Sequence, residues 1–415
     1  MNLLLVLKPL FDSEMNVQGY YFSYQYGNAI LEGVKSNPLD GAMHSPFLEF
    51  INEVGLEAIS QNLMVFVPVT RILMMTDLAR ECNVEREKIV LMLEKNVELD
   101  ALLLDRVIHY NELGFKIAIR VPENTEPLKS FLPFTDYVLA DLPPALQRDA
   151  AKSFRKEYAG KKLIISDISH KLVFDEIKHS GADLFDGPFY KVHMPTSTVQ
   201  NALSPLKVNY IQLLNIVNQD DFDFQAFTRV VRQDTALAIQ FMQLVNATSR
   251  TRAPIKDINQ AAALLGQKEI KKWISTAVSN ALCSDRPSEI TRVSMLRAKF
   301  CENLAKFYEM ATQQDNLFMV GLLSVLDVIL EMPMEDALKM IFIPDAIRDA
   351  LSSSKGDMYR VLEFVLQYEH GDWLEISRQA LVMNMAIKDI HNAYVDAMMW
   401  YTNLINTQIA EDVVA

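Results

Sequence analysis

Up to about residue 190 the chain alternates short runs of apolar, β-branched residues with longer stretches of helical periodicity. Leu3–Leu7, Val17–Tyr24, Leu63–Val69, Ile89–Leu93, Phe115–Ile119, Tyr137–Ala140 and Leu163–Ile168 read as strands. Asp100 to Leu113 reads as a helix, with Leu102, Leu103, Val107, Ile108 and Leu113 on one face. Strand and helix in this alternation imply parallel strands joined by crossover helices, and enough repeats close into a barrel. The first two strands differ. Only a short polar link around Asp12-Ser13-Glu14 joins them, which suits an antiparallel hairpin. From about Pro195 helical periodicity takes over. Thr235 to Val245 predicts a well-buried helix, and Gly266 stops the next apolar stretch before a further helix over Gln267 to Leu282. Others are expected at Glu289–Ala311, Leu317–Leu330, Pro344–Leu351, Met358–Tyr368 and Ile376–Ile405. The expected organisation is a barrel over 1–194, a linker over 195–208 around Pro195 and Pro205, and a helical domain over 209–410.

Composition narrows the function classes. Half of the 415 residues are hydrophobic and 22% are charged, as in ordinary globular protein. A net charge of −13 makes nucleic acid an unlikely partner, because duplex affinity rests on clustered Lys and Arg. Cys82, Cys283 and Cys301 are widely spaced, so neither a disulfide framework nor a zinc site is expected, and a cytoplasmic location is the simple reading. The apolar opening Leu3–Leu7 lacks a positive flank and ends at Lys8-Pro9, too early for a signal peptide. The run from Phe318 to Leu330 is broken by Asp327, so no membrane association is expected.

Several segments carry a resemblance. Lys8-Pro9-Leu10-Phe11-Asp12 is similar to Gln-Pro-Ile-Phe-Asp, and Gly19-Tyr20-Tyr21-Phe22-Ser23-Tyr24-Gln25 to Gly-Tyr-Glu-Leu-Leu-Tyr-Arg. Gly114 to Val121 is similar to Gly-Tyr-x-Ile-Ala-Leu-Asp-Asp, and Asp186-Gly187-Pro188-Phe189 stands where Gln-Gly-Tyr-Phe is found. Further on, Phe241 to Ala247 is similar to Leu-Leu-Arg-Leu-Val-Asn-Ser, and Ile255 to Gly266 to Ile-x-Ser-Ile-x-x-Ala-Ile-x-x-Leu-Gly. With these segments the chain resembles the bacterial EAL-HDOD signalling proteins. The resemblance implies an α/β, TIM-like EAL barrel of the cyclic di-GMP phosphodiesterase type, with an antiparallel first strand, followed by an all-helical HDOD domain.

The resemblance also implies losses. Where an active barrel of this type carries metal-binding or catalytic side chains, this chain has Tyr21, Pro68, Met92, Arg120, Val121, Leu139, Ser166, Ser169 and Asp186, while Asp141 survives. Mg²⁺ and Mn²⁺ need several oxygen ligands, and a unit positive charge at about 4 Å opposes a cation by roughly 4 kcal/mol per charge even at an effective dielectric near 20. The expectation is therefore a non-catalytic regulator or scaffold without metal or other cofactor, not an enzyme. Its expected partners are other signalling proteins and a second copy of the chain. Two alternatives stand beside it. One is an inactive receptor for cyclic di-GMP. The other is a residual phosphodiesterase using Asp141, Asp167 and Asp186.

In the helical half no metal constellation is expected, since His370-Gly371-Asp372 is the nearest approach to an adjacent His-Asp pair. Arg250, Arg252, Lys256, Lys268, Lys271 and Lys272 form either a solvated basic face or a docking site for an acidic partner. Asn246 is expected to serve the backbone near the Ser249–Pro254 turn, with ligand contact as the alternative, and Trp273 to join the core.

Overall fold

Strand pairing runs in chain order around a closed eight-stranded barrel. The computed structural model describes residues 2–31, 45–121, 125–141, 147–192, 205–219, 222–233, 235–248, 255, 257–282 and 288–414. Strands β1 (Leu3–Phe11) and β2 (Val17–Tyr26) form an antiparallel hairpin with Lys8 opposite Tyr21. Its turn is held by Asp12, whose Oδ1 accepts from the backbone N–H groups of Glu14 and Asn16, both at 2.9 Å. Strands β3 (Met64–Val69), β4 (Ile89–Leu93), β5 (Lys116–Arg120), β6 (Tyr137–Asp141) and β7 (Lys162–Ser166) follow, each parallel to the one before. A short β8 (Leu184–Phe185) pairs parallel with β7 and closes the ring where Phe185 meets Phe11 of β1, antiparallel. Its two residues lie below the length at which periodicity becomes visible, and the sequence reading has no strand there.

The expected crossover helix spans Ala101–Glu112. Asp100 caps it by accepting from Leu103 N at 2.9 Å, and Leu103, Val107 and Tyr110 are its buried face. Gly114, at φ 95°, follows the helix and lets the chain turn into β5.

The chain divides into two compact units, Met1–Val192 together with Phe364–Ala415, and His193–Glu363. The expected helical domain over 209–410 thus differs from the observed division. The reason lies at the edge of β1. Among the described residues only Phe11 on that edge has a strand partner, and side chains from the C-terminal helices bond to the backbone of β1 there. Leu5 N–H donates to the Tyr368 hydroxyl at 3.1 Å, and His391 Nδ1 donates to the Leu3 carbonyl at 2.7 Å. Asn28 Nδ2 donates to the Ser377 carbonyl at 2.9 Å, and Ala29 N to Ser377 Oγ at 2.8 Å.

In His193–Glu363 the described helices include Pro205–Val217, Phe224–Val231, Thr235–Thr248, Ile258–Leu282, Ser288–Leu304 and Gln314–Leu323. The first begins inside the expected linker. Gly266, at φ 79°, interrupts the fourth where the sequence reading places a stop. A Cβ on Gly321 would lie 2.4 Å from the Arg297 carbonyl, so the last two of these helices cross with their backbones in contact. The single helix expected over Ile376–Ile405 is two, Trp373–Val382 and Ile387–Val414, with Asn384 left-handed between them at φ 51°. Among the described residues no helix is long and apolar enough to cross a membrane.

Candidate functional site at the barrel mouth

Successive side chains of a strand point to opposite faces, so every second residue looks into the barrel. Leu10, Phe66, Val90, Met92, Ala118, Tyr137, Leu139, Ile164 and Leu184 pack there as one apolar cluster, with Tyr21 and Met64 against it. Two residues further along β4 to β8, in the direction in which these strands run, the same alternation arrives at Glu94, Arg120, Asp141, Ser166 and Asp186. The barrel is therefore apolar in its interior and charged at its mouth.

Arg120 is the hub of the mouth. Its Nε lies 2.9 Å from Glu94 Oε2, its Nη1 pairs with Asp141 Oδ1, and its side chain is only 15% exposed. Burial works against its charge, but Glu94, Asp141, Tyr21 and Asp186 more than compensate and raise its pKa. Asp141 is also paired with Lys95 Nζ at 2.6 Å. The Tyr21 hydroxyl donates to Glu94 Oε1 at 3.1 Å, and burial followed by the Glu94 charge pushes its pKa up. Asp186 has its pKa raised by burial, with Lys8, the Ser166 hydroxyl and Arg120 pulling the other way. Lys8 is the converse case. Burial lowers its pKa, Asp186 and Asp167 oppose that, and Lys191 and Arg120 add to it.

Backbone geometry fixes where these groups stand. Asp186 N donates to the Ile165 carbonyl at 3.0 Å, and its own carbonyl accepts from Ile168 N at 2.9 Å. Gly187 follows at φ 142°, and a Cβ there would fall 2.2 Å from the Ile168 carbonyl, so only glycine permits this approach. Asp167, at φ 65°, takes the left-handed conformation on the facing turn.

The expected site residues divide between these two zones. Met92 and Leu139 are buried in the apolar cluster, and Pro68 lies opposite Met92 on the neighbouring strand. Val121 donates its N–H to the Leu139 carbonyl at 2.9 Å, and half-buried Ser169 lies beyond the end of β7. Tyr21, Arg120, Ser166 and Asp186 do come together at the mouth. Sequence reasoning missed Glu94, Lys95 and Lys8. Glu94 was accessible from the alternation, since it lies two residues beyond inward-facing Met92.

The mouth is thus not short of carboxylates: Glu94, Asp141, Asp167 and Asp186 surround it. Glu94 and Asp141 are engaged with Arg120 and Lys95, and Lys8 and Arg120 act on the charge of Asp186. Among the described residues no cluster of three or more His, Cys, Asp or Glu side chains is placed to hold a metal ion. The described residues as they stand do not group into a site for a pair of divalent cations.

In the other unit, Asn246 clamps the backbone of Ile255. Its Nδ2 donates to the Ile255 carbonyl at 3.0 Å, and its Oδ1 accepts from Ile255 N at 2.7 Å. Lys268 and Lys272 are exposed and Lys271 half-buried on the helix after Gly266, whereas Arg250, Arg252 and Lys256 lie outside the described residues. Trp273 packs on Phe241, with ring centroids 4.9 Å apart. In the His370-Gly371-Asp372 turn, His370 Nδ1 meets the Leu366 carbonyl at 2.6 Å, and Asp372 caps the next helix through Glu375 N at 3.2 Å.

Residues 188–353 match the family model of the HDOD domain. The C-terminal part of this chain carries an HDOD domain. The match ends before the helices that group with the barrel. The chain is 25% identical over 320 residues, 76% of its length, to a Vibrio cholerae protein named "Cyclic di-GMP phosphodiesterase CdgJ", of which the alignment covers 73%. It is 23% identical over 419 residues to "Uncharacterized protein YuxH" of Bacillus subtilis, covering 98% of this chain and 100% of that protein. Among solved structures it is similar to an EAL domain protein of Listeria monocytogenes, with 15% identity, 46% of this chain and 87% of that one covered, and a TM-score of 0.36. The EAL enzyme Bd1971 gives 12% identity and a TM-score of 0.36 over 45% of this chain, and the match spans 60% of that protein.

The relationship to CdgJ overturns the expectation that the HDOD-bearing chain is not an enzyme, since a relative across three quarters of it is named a phosphodiesterase. The physical weakness of that expectation lies at the mouth. It counted the apolar replacements at Met92 and Leu139 and overlooked Glu94, one alternation step further on.

Proposed function

We propose that this chain is a cyclic di-GMP signalling protein that works through contacts of its barrel and its HDOD part with other signalling proteins. The observation that carries the reading is the 320-residue relationship to a protein named for cyclic di-GMP. Contact with other proteins is supported by the helix Trp373–Val382, which leaves Leu374 64% and Val382 70% exposed, with Leu381 exposed beside them. Side chains of this size in solvent on one short helix are what a contact surface provides. Deleting the chain from its host is expected to change traits under cyclic di-GMP control, motility or surface attachment. Unchanged traits would overturn the reading.

A second reading, hydrolysis of cyclic di-GMP, is favoured by the four carboxylates around the mouth. Burial raises the pKa of Asp186, which favours its protonated form and a proton-donating role. Purified full-length chain incubated with cyclic di-GMP and Mn²⁺ tests it. Linear product that disappears in Asp141→Asn and Asp186→Asn supports hydrolysis, and no product above a heat-inactivated control removes it.

A further inference from the structure

One helix, Asp357–His370, runs without interruption through the position where the two units divide, between Glu363 and Phe364. Its last turn is fastened to the barrel by three contacts of different chemistry. Lys8 Nζ donates to the His370 carbonyl at 3.1 Å. Lys191 Nζ pairs with Glu369 Oε2 at 2.9 Å, with side chains only 13% and 14% exposed. The Tyr368 hydroxyl accepts from Leu5 N. A lysine on the C-terminal carbonyls of a helix is favourable on general grounds, because those carbonyls lack intrahelical partners and carry the negative end of the helix dipole.

Lys8 does not belong to the helix end alone. It projects from the inward face of β1, the face that carries Leu10, and the groups acting on its charge are Asp186, Lys191, Asp167 and Arg120. One ammonium therefore stands between the carboxylates of the mouth and the end of a helix that continues into the HDOD-bearing unit. We propose that Lys8 and Lys191 form a latch that fastens the last turn of helix Asp357–His370 to the barrel mouth, so that a change in charge at the mouth and a displacement of this helix are coupled. An anionic group of the phosphodiester class entering the mouth competes for Lys8 and loosens the helix end. Conversely, a helix end drawn away leaves Lys8 to Asp186. The coupling is reciprocal, because both events act on the Lys8 ammonium.

The latch rests on the mouth being the working end of the barrel, but its test contains no nucleotide, so its failure and that of the signalling reading are separable. Amide hydrogen exchange is measured on full-length chain carrying Lys8→Gln, Lys191→Gln or, as a mouth control, Lys95→Gln. Loss of a charged hydrogen bond is expected to speed exchange of the 364–371 amides roughly tenfold in the first two variants. Lys95→Gln, together with the 101–112 helix in every variant, should stay at the exchange of the unaltered chain. The exchanged pair Lys191→Glu with Glu369→Lys keeps opposite charges together and is expected to restore protection lost in Lys191→Gln, which a general loosening would not do. Exchange within twofold of the unaltered chain in both Lys8→Gln and Lys191→Gln would overturn the latch. Should Lys8→Gln fail to fold, the Lys191 and Glu369 variants decide alone, by the same criterion.

Discussion

The barrel interior and the barrel mouth are built from the same strands, one alternation step apart, and they solve opposite problems. Inside, Val90, Met92, Ala118, Leu139 and Ile164 close on each other and need nothing but shape. At the mouth, the largely buried charge of Arg120 is balanced by Glu94 and Asp141, which reach water more freely. The interior responds to volume and the mouth to charge balance. A barrel of this kind can therefore tolerate changes at its mouth without losing its fold, so long as charges are changed in compensating sets.

The sharpest way to break the comparison is to cut into each zone. Met92→Ala removes a fully buried side chain and leaves a cavity, for which a loss of about 2–5 kcal/mol is expected in a urea midpoint series. Arg120→Ala takes the shared cation from Glu94 and Asp141, and a smaller loss of about 1–3 kcal/mol is expected, since Asp141 keeps Lys95, Glu94 keeps the Tyr21 hydroxyl, and both carboxylates still reach water at 29% exposure. Adding Glu94→Gln to Arg120→Ala should recover part of that loss. No second substitution at the mouth should recover Met92→Ala. Recovery in both cases, or in neither, would erase the distinction.

How far this was legible in the sequence follows from the same physics. Strands β1 to β7 announce themselves because a barrel strand reads as an apolar, β-branched run. The hairpin follows from a link too short to cross over. Gly266 marks its helix break because a left-handed residue there strongly favours glycine. The charged mouth was also readable. Counting two residues on from Met92 gives Glu94, a position that no motif of the resemblance singles out. What the chain could not disclose is the grouping of its last helices with the barrel. That grouping depends on single contacts such as Tyr368 to Leu5 and His391 to Leu3, which join residues more than 360 positions apart and leave no periodic trace.

A smaller effect separates the zones by pH. Burial raises the Asp186 pKa above its unfolded value, so in the window between the two the folded chain binds the extra proton. Stability contributed by this group is then highest on the acid side and falls as pH rises from the ordinary carboxylate range through the raised pKa. Asp186→Asn has no such titration. Its midpoint minus that of the unaltered chain should therefore grow with pH across that window, and a flat difference would remove Asp186 from the buried charge network. His391 runs the other way. Burial lowers its pKa, so the protonated form is favoured in the unfolded chain, and stability is lost as pH falls through the ordinary imidazole range. His391→Asn is expected to flatten that loss.

The smallest effect belongs to the rim. Lys95 reaches Asp141 at 2.6 Å, a shorter contact than Arg120 makes to Glu94, yet the Lys95 side chain is 48% exposed against 15% for Arg120. If contact distance governed the mouth, the two cations would matter alike. If burial governs it, water and salt screen Lys95, and Lys95→Ala should cost no more than about 0.5 kcal/mol, shrinking further in 0.5 M salt. Thermal unfolding of Lys95→Ala and Arg120→Ala at low and high ionic strength measures this directly. A Lys95→Ala loss equal to that of Arg120→Ala would mean that the charged zone extends beyond the inward-facing positions, and that strand alternation is not the boundary between the two regions.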